Sequence, residues 1–371
     1  LEECFAGARN RIYTKILTAP LLRLSTRIAT MYLFKKPKKI LIIADRFDAS
    51  FNVFFKHGLI VLKNSSLLTE LIDYSLKDTS SVCSIGKKIS SGKYRAIIFL
   101  RFSHADGSLI ADIAKKNSVR TYYFIDDDFF SLAEEFTDSN LAHHTNEKSL
   151  RDRANNICSV NTVLCSTDHL AQMLKSRFKV NTLSPFHPIF LRNYPFIKKN
   201  ELVIGYMGSK GHKHDLESLT EDLSRLLDTH KSLRFETFGS IEMPASLQRF
   251  GNRVSSYTNS STYESFIEKL HHLNWKIGLA PLVHNKTNQS KAFTKYIEYS
   301  SAAIPTAASR NSTYDLVIRE NAGFLISDGD WYYQLNKILE KDLEDTVSNA
   351  QANIVVYAPP VQAQNLRFLF E

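Results

Sequence analysis

Short apolar runs without polar alternation recur along this chain, separated by segments of helical periodicity. In the first half these runs are KILIIAD (39–45), YRAIIFLRF (94–102), RTYYFIDDD (120–128) and NTVLCST (161–167). A strand that is apolar on both faces must be covered on both faces, as in a parallel sheet flanked by helices. The run GLIVL (58–62) is interpreted as a further strand, and SLLTELIDYSL (66–76) as a helix.

Residues 184–201 interrupt this pattern with three prolines, which is typical of a linker. The pattern then resumes with LVIGYMGS (202–209), LRFETFGS (233–240), WKIGLAPL (275–282), IPTAAS (304–309) and AGFLIS (322–327). The sequence therefore predicts an α/β fold with two Rossmann-like, doubly wound domains that face each other across a cleft. The expected bounds are a basic segment at 1–37, domains at 38–190 and 200–355, and a tail at 356–371 that returns to the first domain. Ligands of such sheets bind beyond the carboxyl ends of the strands, so the cleft is the expected site.

Composition narrows the class of protein. The 371 residues are 43% hydrophobic and 23% charged, which is ordinary for a globular chain. The four cysteines lack CxxC spacing, which disfavours a zinc site or a disulfide scaffold and fits a reducing, cytoplasmic compartment. The formal charge of +9 suggests an anionic partner: nucleic acid, a membrane surface or a phosphorylated substrate. Nucleic acid is not expected as a partner, because no aromatic-rich basic stripe is present.

The first 37 residues mix arginine and lysine with isoleucine, leucine, tyrosine and phenylalanine. One interpretation is a basic amphipathic helix on an anionic membrane surface, which would hold the protein peripherally at the inner face of a membrane. The alternatives are a helix that packs on its own domain, or a linker from a preceding segment. No apolar run reaches the ~18 residues of a membrane-spanning helix.

The stretch between the apolar runs at 275–282 and 304–309 carries Lys291, Lys295 and Glu298. A helix from near residue 290 to about residue 303 would place these side chains on one face, beside the cleft. A carboxylate accepts hydrogen bonds from a vicinal diol such as ribose, and lysines neutralise a diphosphate. The alternative interpretation is a solvated helix face with an ordinary ion pair.

A second candidate is IGYMGSKGHKHDL (204–216), where a strand ends at Gly208 and Ser209 and a turn containing Lys210 and Lys213 leads into a helix. Small residues allow close approach of a phosphate, and a helix N-terminus attracts negative charge. The stretch is neither a P-loop nor GxGxxG, so on its own it is a weak indication.

Together with AGFLISDGDWYYQL, these stretches resemble the C-terminal domain of GT-B glycosyltransferases of family 4, over about residues 200 to 335. The resemblance rests on a K-x-x-E-Y-x5-P helix and on the order of the three motifs. It implies phosphate contacts at Gly208, Ser209 and Lys213, diphosphate contacts at Lys291 and Lys295, and a ribose contact at Glu298. The sequence departs from the family at Ser290, where many members have a second glutamate that contacts the donor sugar. Lys210, Asn288 and Ser290 complete the donor-side candidates.

Three adjacent carboxylates, Asp126, Asp127 and Asp128, end a strand at the cleft edge. They could hold a divalent ion, orient an acceptor hydroxyl or act as a base, or they could simply cap the following helix. GT-B enzymes generally do not depend on a metal, so the resemblance favours acceptor handling without a metal site. His104 is a further catalytic candidate, because a histidine in this half often assists catalysis in the family.

The sequence thus predicts a glycosyltransferase of the hexosyl or deoxyhexosyl type, and the family resemblance implies that it retains anomeric configuration. It would move a sugar from a nucleotide-diphosphate donor to a hydroxyl of a glycan or lipid-linked acceptor, in polysaccharide or glycoconjugate assembly. No cofactor is expected besides the donor substrate. The alternatives are a GT-B-like sugar-nucleotide epimerase and a non-catalytic subunit that binds nucleotide sugars.

Overall fold

The computed structural model describes residues 39–75, 81–136, 145–198, 201–258 and 262–371. The predicted basic segment at 1–37 lies outside the described residues. Residues Lys39–Glu371 form one unit, in which the described strands divide between two parallel sheets. We call the part around the first sheet the first lobe and the part around the second sheet the second lobe.

The first sheet has the strand order β2-β1-β3-β4-β5-β6, and all neighbouring strands are parallel. Its strands are β1 Lys39–Ala44, β2 Thr69–Asp73, β3 Tyr94–Leu100, β4 Arg120–Ile125, β5 Thr162–Cys165 and β6 Thr182–Leu183. Leu41 and Ile43 of β1 belong to one apolar core, and Ile40 and Ile42 belong to another. Because side chains alternate along a strand, the two cores lie on opposite faces of the sheet. This burial on both faces explains the uninterrupted apolar runs.

The second sheet repeats this construction with the order β12-β11-β10-β7-β8-β9, again with parallel neighbours. Its strands are β7 Val203–Gly208, β8 Arg234–Gly239, β9 Val254–Tyr257, β10 Ile277–Ala280, β11 Thr306–Ser309 and β12 Phe324–Ile326. Ile204 and Tyr206 face one core, and Val203 and Met207 face the other. Two such sheets, each covered on both faces, confirm the predicted α/β class with two doubly wound, Rossmann-like halves.

Helices connect the parallel strands. Those of the first lobe are α1 Ala49–Phe51, α2 His57–Asn64, α3 Val82–Ser90, α4 Asp106–Lys116, α5 Phe129–Glu135, α6 Glu147–Ser159 and α7 Asp168–Phe178. The later helices are α8 Lys213–Glu217, α9 Thr220–Thr229, α10 Tyr263–His272, α11 Lys286–Gln289, α12 Thr294–Ser301, α13 Trp331–Leu339, α14 Glu344–Ile354 and α15 Pro359–Leu366. A π-helical turn, Asn52–Lys56, joins α1 to α2. Among the described helices, none has the length and apolarity needed to cross a membrane.

Two assignments made from the sequence in the first half are wrong. Residues 58–62, expected as a strand, lie in helix α2, and residues 69–73, expected within a helix, form strand β2. Strand β2 lies at the edge of the sheet and is only partly buried, so its sequence is less apolar than that of a central strand. A short apolar run alone does not distinguish a buried strand from a buried helix turn.

The C-terminal tail reaches the first lobe. Leu366 and Phe370 belong to the same apolar core as Ile40 and Ile42 of β1, whereas Ile354 belongs to a core of the second lobe. Helix α15 is fixed to α2 by Gln362, whose Oε1 accepts a hydrogen bond from the Gly58 amide at 2.9 Å. The bounds expected for the two domains and the tail remain predictions.

Candidate functional site

A cavity of about 790 Å³ lies between the carboxyl-terminal edges of the two sheets. The first lobe contributes residues that follow β1, β3 and β4, among them Ser50, Arg101 and Asp126. The second lobe contributes the turn after β7 and helix α12. This is the position in which doubly wound sheets bind their ligands.

Helix α12 is anchored to the second sheet by Tyr299. Its buried hydroxyl donates to the carbonyl of Leu279 at 3.0 Å and accepts from the amide of Met207 at 2.9 Å. The ring passes over Gly278, where an added Cβ would lie 2.7 Å from the Tyr299 ring. The glycine of β10 therefore allows the close approach of helix and sheet that sets the position of α12 beside the cavity.

The predicted trio of Lys291, Lys295 and Glu298 lines the cavity, but not as one helical face. Helix α12 begins at Thr294, so the expectation of a helix from near residue 290 is wrong. Asn285 caps the separate short helix α11, and the chain turns between α11 and α12, where Lys291 lies. Lys291 is therefore presented from a turn, whereas Lys295 and Glu298 are presented from α12.

Lys295 is a buried cation without a direct ion pair to any described carboxylate. It is 7% exposed, and among the described residues no carboxylate lies within 4.0 Å of its Nζ. Burial lowers the pKa of Lys295 to about 8, which the charge of Lys291 reinforces and that of Asp215 opposes. A buried ammonium group of this kind is costly unless an anion compensates it.

Glu298 is the acidic counterpart on the same helix and is 8% exposed. Burial raises the pKa of Glu298 to about 7, while the Tyr263 hydroxyl and the Lys295 charge oppose the rise. Near neutral pH the carboxyl is thus protonated far more readily than that of an exposed glutamate. It is available either to accept hydrogen bonds from ligand hydroxyls or to donate one.

Asp215 is the anionic centre that organises the second-lobe side of the cavity. Its carboxylate accepts hydrogen bonds from the Val283 amide at 3.1 Å and from Asn288 Nδ2 at 2.7 Å, and lies 3.0 Å from Nδ1 of His212. Burial alone would raise the pKa of Asp215, but the His212 hydrogen bond and the neighbouring lysine charges lower it to about 2. Asp215 therefore holds the segment after β10 in place as a permanent anion.

His212 lines the cavity as a neutral side chain. Burial lowers its pKa to about 4, and the charges of Lys295 and Lys291 contribute to this shift. A neutral imidazole that faces the anionic Asp215 carries its proton on Nδ1, which leaves Nε2 unprotonated. The sequence argument did not assign a role to Asp215 or His212. The partners Val283 and Asn288 of Asp215 lie 68 and 73 positions further along the chain, although His212 lies only three positions before it.

The turn after β7 brings Gly208, Ser209 and Lys210 to the cavity. A 3₁₀ turn, Lys210–His212, follows the strand, and α8 begins directly after it. The ammonium group of Lys210 is exposed and pairs with Glu242 at 3.2 Å. Gly208 and Ser209 at the end of β7 thus line the cavity, and their contact with the phosphates of a donor remains a prediction.

On the first-lobe side, Arg101 connects three segments. Its guanidinium lies 3.4 Å from Asp126 and 3.5 Å from Asp48, and it donates a hydrogen bond to the hydroxyl of Ser50. Arg101 has a φ of 51°, a left-handed conformation that non-glycine residues seldom adopt. Burial raises the pKa of Asp126 to about 6, against the opposing effect of Arg101. Arg101 is therefore the cation that partly offsets the charges of Asp48 and Asp126 on this wall.

The three adjacent aspartates have different environments. Asp126 and Asp127 line the cavity, and Asp127 lies 3.7 Å from the Nζ of Lys291 in the other lobe. Asp128 is buried and caps helix α5 by accepting from the amides of Phe130 and Ser131. Within the described residues, no group of three histidine, cysteine, aspartate or glutamate side chains has the geometry of a metal site.

Four other predicted residues do not appear among the side chains that line the cavity. His104 and Lys213 are exposed, and Lys213 pairs with Glu217 at 3.7 Å. Asn288 is buried in its bond to Asp215. Ser290 is fully buried, and its hydroxyl has no hydrogen-bond partner among the described residues. The direct roles predicted for these residues and for Asp128 remain predictions, without support from the position of the side chains.

Comparison with solved structures identifies similar folds at low sequence identity. TarM gives a TM-score of 0.56 at 15% identity, over 78% of this chain and 58% of TarM. HepE from Anabaena, in complex with UDP, gives a TM-score of 0.56 at 13% identity, over 89% of this chain and 98% of HepE. WaaG, a glycosyltransferase involved in lipopolysaccharide biosynthesis, gives a TM-score of 0.59 at 12% identity, over 88% of this chain and 99% of WaaG.

These similarities confirm the GT-B architecture that was predicted from the sequence, with two Rossmann-like lobes and the cavity between them. The chain spans little more than half the length of TarM but nearly all of HepE and WaaG. No protein-family model matches the sequence, and no curated protein matches it significantly. Membership of family 4 remains a prediction.

Proposed function

We propose that this protein is a glycosyltransferase that takes its sugar from a nucleotide-diphosphate donor bound in the cavity between the lobes. The observation that carries the proposal is the buried Lys295, which lines that cavity with no carboxylate within 4.0 Å among the described residues. A diphosphate would supply the missing anion at this point. The similar fold of HepE, which was crystallised with UDP and with UDP-glucose, supports this class of donor.

In this proposal, Lys291 and Lys295 stabilise the negative charge that develops on the leaving diphosphate. Charge stabilisation by groups already in place, in a site shielded from water, is the largest contribution to many enzymatic rates. The amides around Gly208 and Ser209 approach the phosphates, and Glu298 accepts hydrogen bonds from the ribose diol. The role of each of these residues is part of the proposal.

On the opposite wall, Asp126 and Asp127 handle the acceptor. A carboxylate beside the cavity can accept a hydrogen bond from an acceptor hydroxyl and orient it toward the sugar. We propose a glycan or lipid-linked glycan as acceptor and retention of anomeric configuration, as in family 4. The basic residues of the segment 1–37 support peripheral attachment at the cytoplasmic face of a membrane. The reaction needs no cofactor besides the donor substrate.

The decisive experiment measures release of free nucleoside diphosphate from a panel of nucleotide sugars, with and without a glycan acceptor. We expect release that depends on the acceptor. An epimerase would convert the sugar nucleotide without an acceptor, and a non-catalytic subunit would bind it without turnover. A thermal-shift screen of the same panel identifies the donor, because a ligand at 100 times its dissociation constant stabilises by about 2.7 kcal/mol. Glu298→Ala should abolish the shift for every nucleotide sugar; a shift equal to that of the parent would contradict the role of Glu298.

A further inference from the structure

The first lobe holds the segment from which the second lobe presents Lys291. We call residues 282–293, between β10 and α12, the 282–293 loop. Glu135, the last residue of α5 in the first lobe, accepts hydrogen bonds from the amides of Lys286 and Thr287 at 2.8 and 3.0 Å. Its carboxylate also accepts from the Thr287 hydroxyl at 2.6 Å. One side chain thus satisfies two amides at the start of α11, across the boundary between the lobes.

These bonds have the character of charge-assisted contacts. Burial alone would raise the pKa of Glu135, but the Thr287 hydroxyl, the two amides and the Lys286 charge lower it. The carboxylate is therefore ionised at neutral pH. Hydrogen bonds to an ionised acceptor are shorter and stronger than neutral ones.

Other contacts between the lobes surround the carboxylate. The ring of Phe136 stacks on His214 at 4.8 Å, and the Thr167 hydroxyl donates to the carbonyl of Ser290 at 3.0 Å. Asp215 holds the 282–293 loop from the second lobe through its bonds to the Val283 amide and Asn288. The loop is consequently held from both lobes. Glu135 binds its backbone from the first lobe, where Asp127 and Glu134 also lie near the ammonium groups of Lys291 and Lys286, and Asp215 binds it from the second lobe.

We propose that Glu135 is a positioning residue, which holds the 282–293 loop from the opposite lobe so that Lys291 is preorganised for the diphosphate of the donor. This inference rests on the proposed function. Glu135 does not line the cavity, so it acts through the loop and not by contact with substrate. If the two lobes separate, the three hydrogen bonds of Glu135 break. The position of Lys291 for donor binding therefore depends on the arrangement of the lobes seen here.

The test replaces Glu135 by Gln and measures two quantities: the dissociation constant for UDP by calorimetry, and hydrogen–deuterium exchange at the 286 and 287 amides. A glutamine accepts only through its single carbonyl oxygen and carries no charge. If the competent loop falls to a tenth of the population, the apparent dissociation constant rises about tenfold. We expect that increase together with faster exchange at both amides, and a donor KM that rises more than kcat falls.

Glu134→Gln is the matched control. Glu134 precedes Glu135, is exposed, pairs with Arg177 at 3.0 Å and lies 4.0 Å from the Lys286 Nζ. We expect parent-like UDP affinity and exchange for this variant. Thr287→Val removes one of the three bonds to Glu135. Its effect on UDP affinity should be less than additive with that of Glu135→Gln, because the two variants break a shared contact.

The outcomes separate this inference from the proposed function. Equal UDP affinity in the parent and in Glu135→Gln would overturn the positioning role, and unchanged amide exchange would overturn the contact itself. A parent protein that binds no nucleoside diphosphate would refute the proposed function, while the exchange data would still decide whether Glu135 holds the loop.

Discussion

Replacing Lys295 by Met separates the contribution of this residue to ligand binding from its contribution to folding, because the two effects have opposite signs. Methionine fills a similar volume with an unbranched side chain and carries no charge. In the free protein the pKa of Lys295 is about 8 instead of 10.5, and this difference corresponds to about 3 kcal/mol. At pH 7, which is below both pKa values, Lys295 is charged in the folded and in the unfolded protein, so the folded state is destabilised by this amount. The free energy of unfolding of the variant should therefore be up to about 3 kcal/mol higher than that of the parent.

Ligand binding should change in the opposite direction. A hydrogen bond to a charged group contributes about 1.5 to 3 kcal/mol, so loss of the ammonium should weaken UDP binding roughly 10- to 150-fold. Chemical denaturation without ligand and calorimetric titration with UDP measure the two effects separately. Lys213→Met is the control, because Lys213 is exposed and, within the part of the chain that the structure describes, forms its one ion pair with Glu217 in the same helix. We expect little change in either quantity for the control.

Two results would refute this reasoning. UDP affinity equal to that of the parent would show that the Lys295 ammonium does not contact the diphosphate. A less stable free protein would show that the buried charge is compensated in the fold itself. In that case Lys295 would stabilise the fold and would not be a cation that binds the ligand.

Three further predictions concern pH, turnover and packing. Because the pKa of Glu298 is raised from 4.5 to about 7, the native state binds more protons than the unfolded state between these values, and stability falls as pH rises through this window. The free energy of unfolding of Glu298→Gln, relative to that of the parent, should thus increase by up to about 3 kcal/mol as pH rises from 4.5 to 7. Denaturation curves measure this difference, and a difference that does not change with pH would contradict the raised pKa. Asp127→Asn should reduce turnover about 100-fold while UDP affinity stays within about threefold of the parent, and unchanged turnover would remove Asp127 from the acceptor side. Gly205→Ala places a Cβ 1.7 Å from Trp275 and should destabilise the protein by roughly 1 to 3 kcal/mol or more. Gly86→Ala in α3 meets only ordinary contacts and should be neutral or slightly stabilising, so equal melting temperatures for the two variants would contradict the packing.

The fold was largely predictable, because a strand buried on both faces must be continuously apolar. The central strands β1, β3 and β4 carry such runs, and so do β7 and β10. The assignment of helices and strands was wrong for two elements that are not buried on both sides. The edge strand β2 is partly exposed and reads as helical, and helix α2 reads as a strand because its apolar residues are consecutive.

The sequence pointed to part of the cavity lining but not to its connections, and the roles of these residues in binding remain predictions. Lys291, Lys295 and Glu298 were found because their residue types and spacing match the chemistry of a nucleotide. Their actual arrangement depends on a chain turn before α12 that the spacing did not reveal. The contacts of Glu135 with Thr287 and of Asp127 with Lys291 join residues more than 150 positions apart across two lobes. The sequence contains no local pattern for contacts of this kind, because they depend on how the two sheets are placed.

The most direct test of the central claim is a crystal structure of the protein with UDP. The claim is that the buried ammonium of Lys295 binds the diphosphate of a nucleotide donor in the cavity between the lobes. It predicts a phosphate oxygen about 2.8 Å from the Nζ of Lys295, the distance of a charge-assisted hydrogen bond. A UDP molecule bound with its diphosphate outside this cavity, and with Lys295 still without an anionic partner, would contradict the claim.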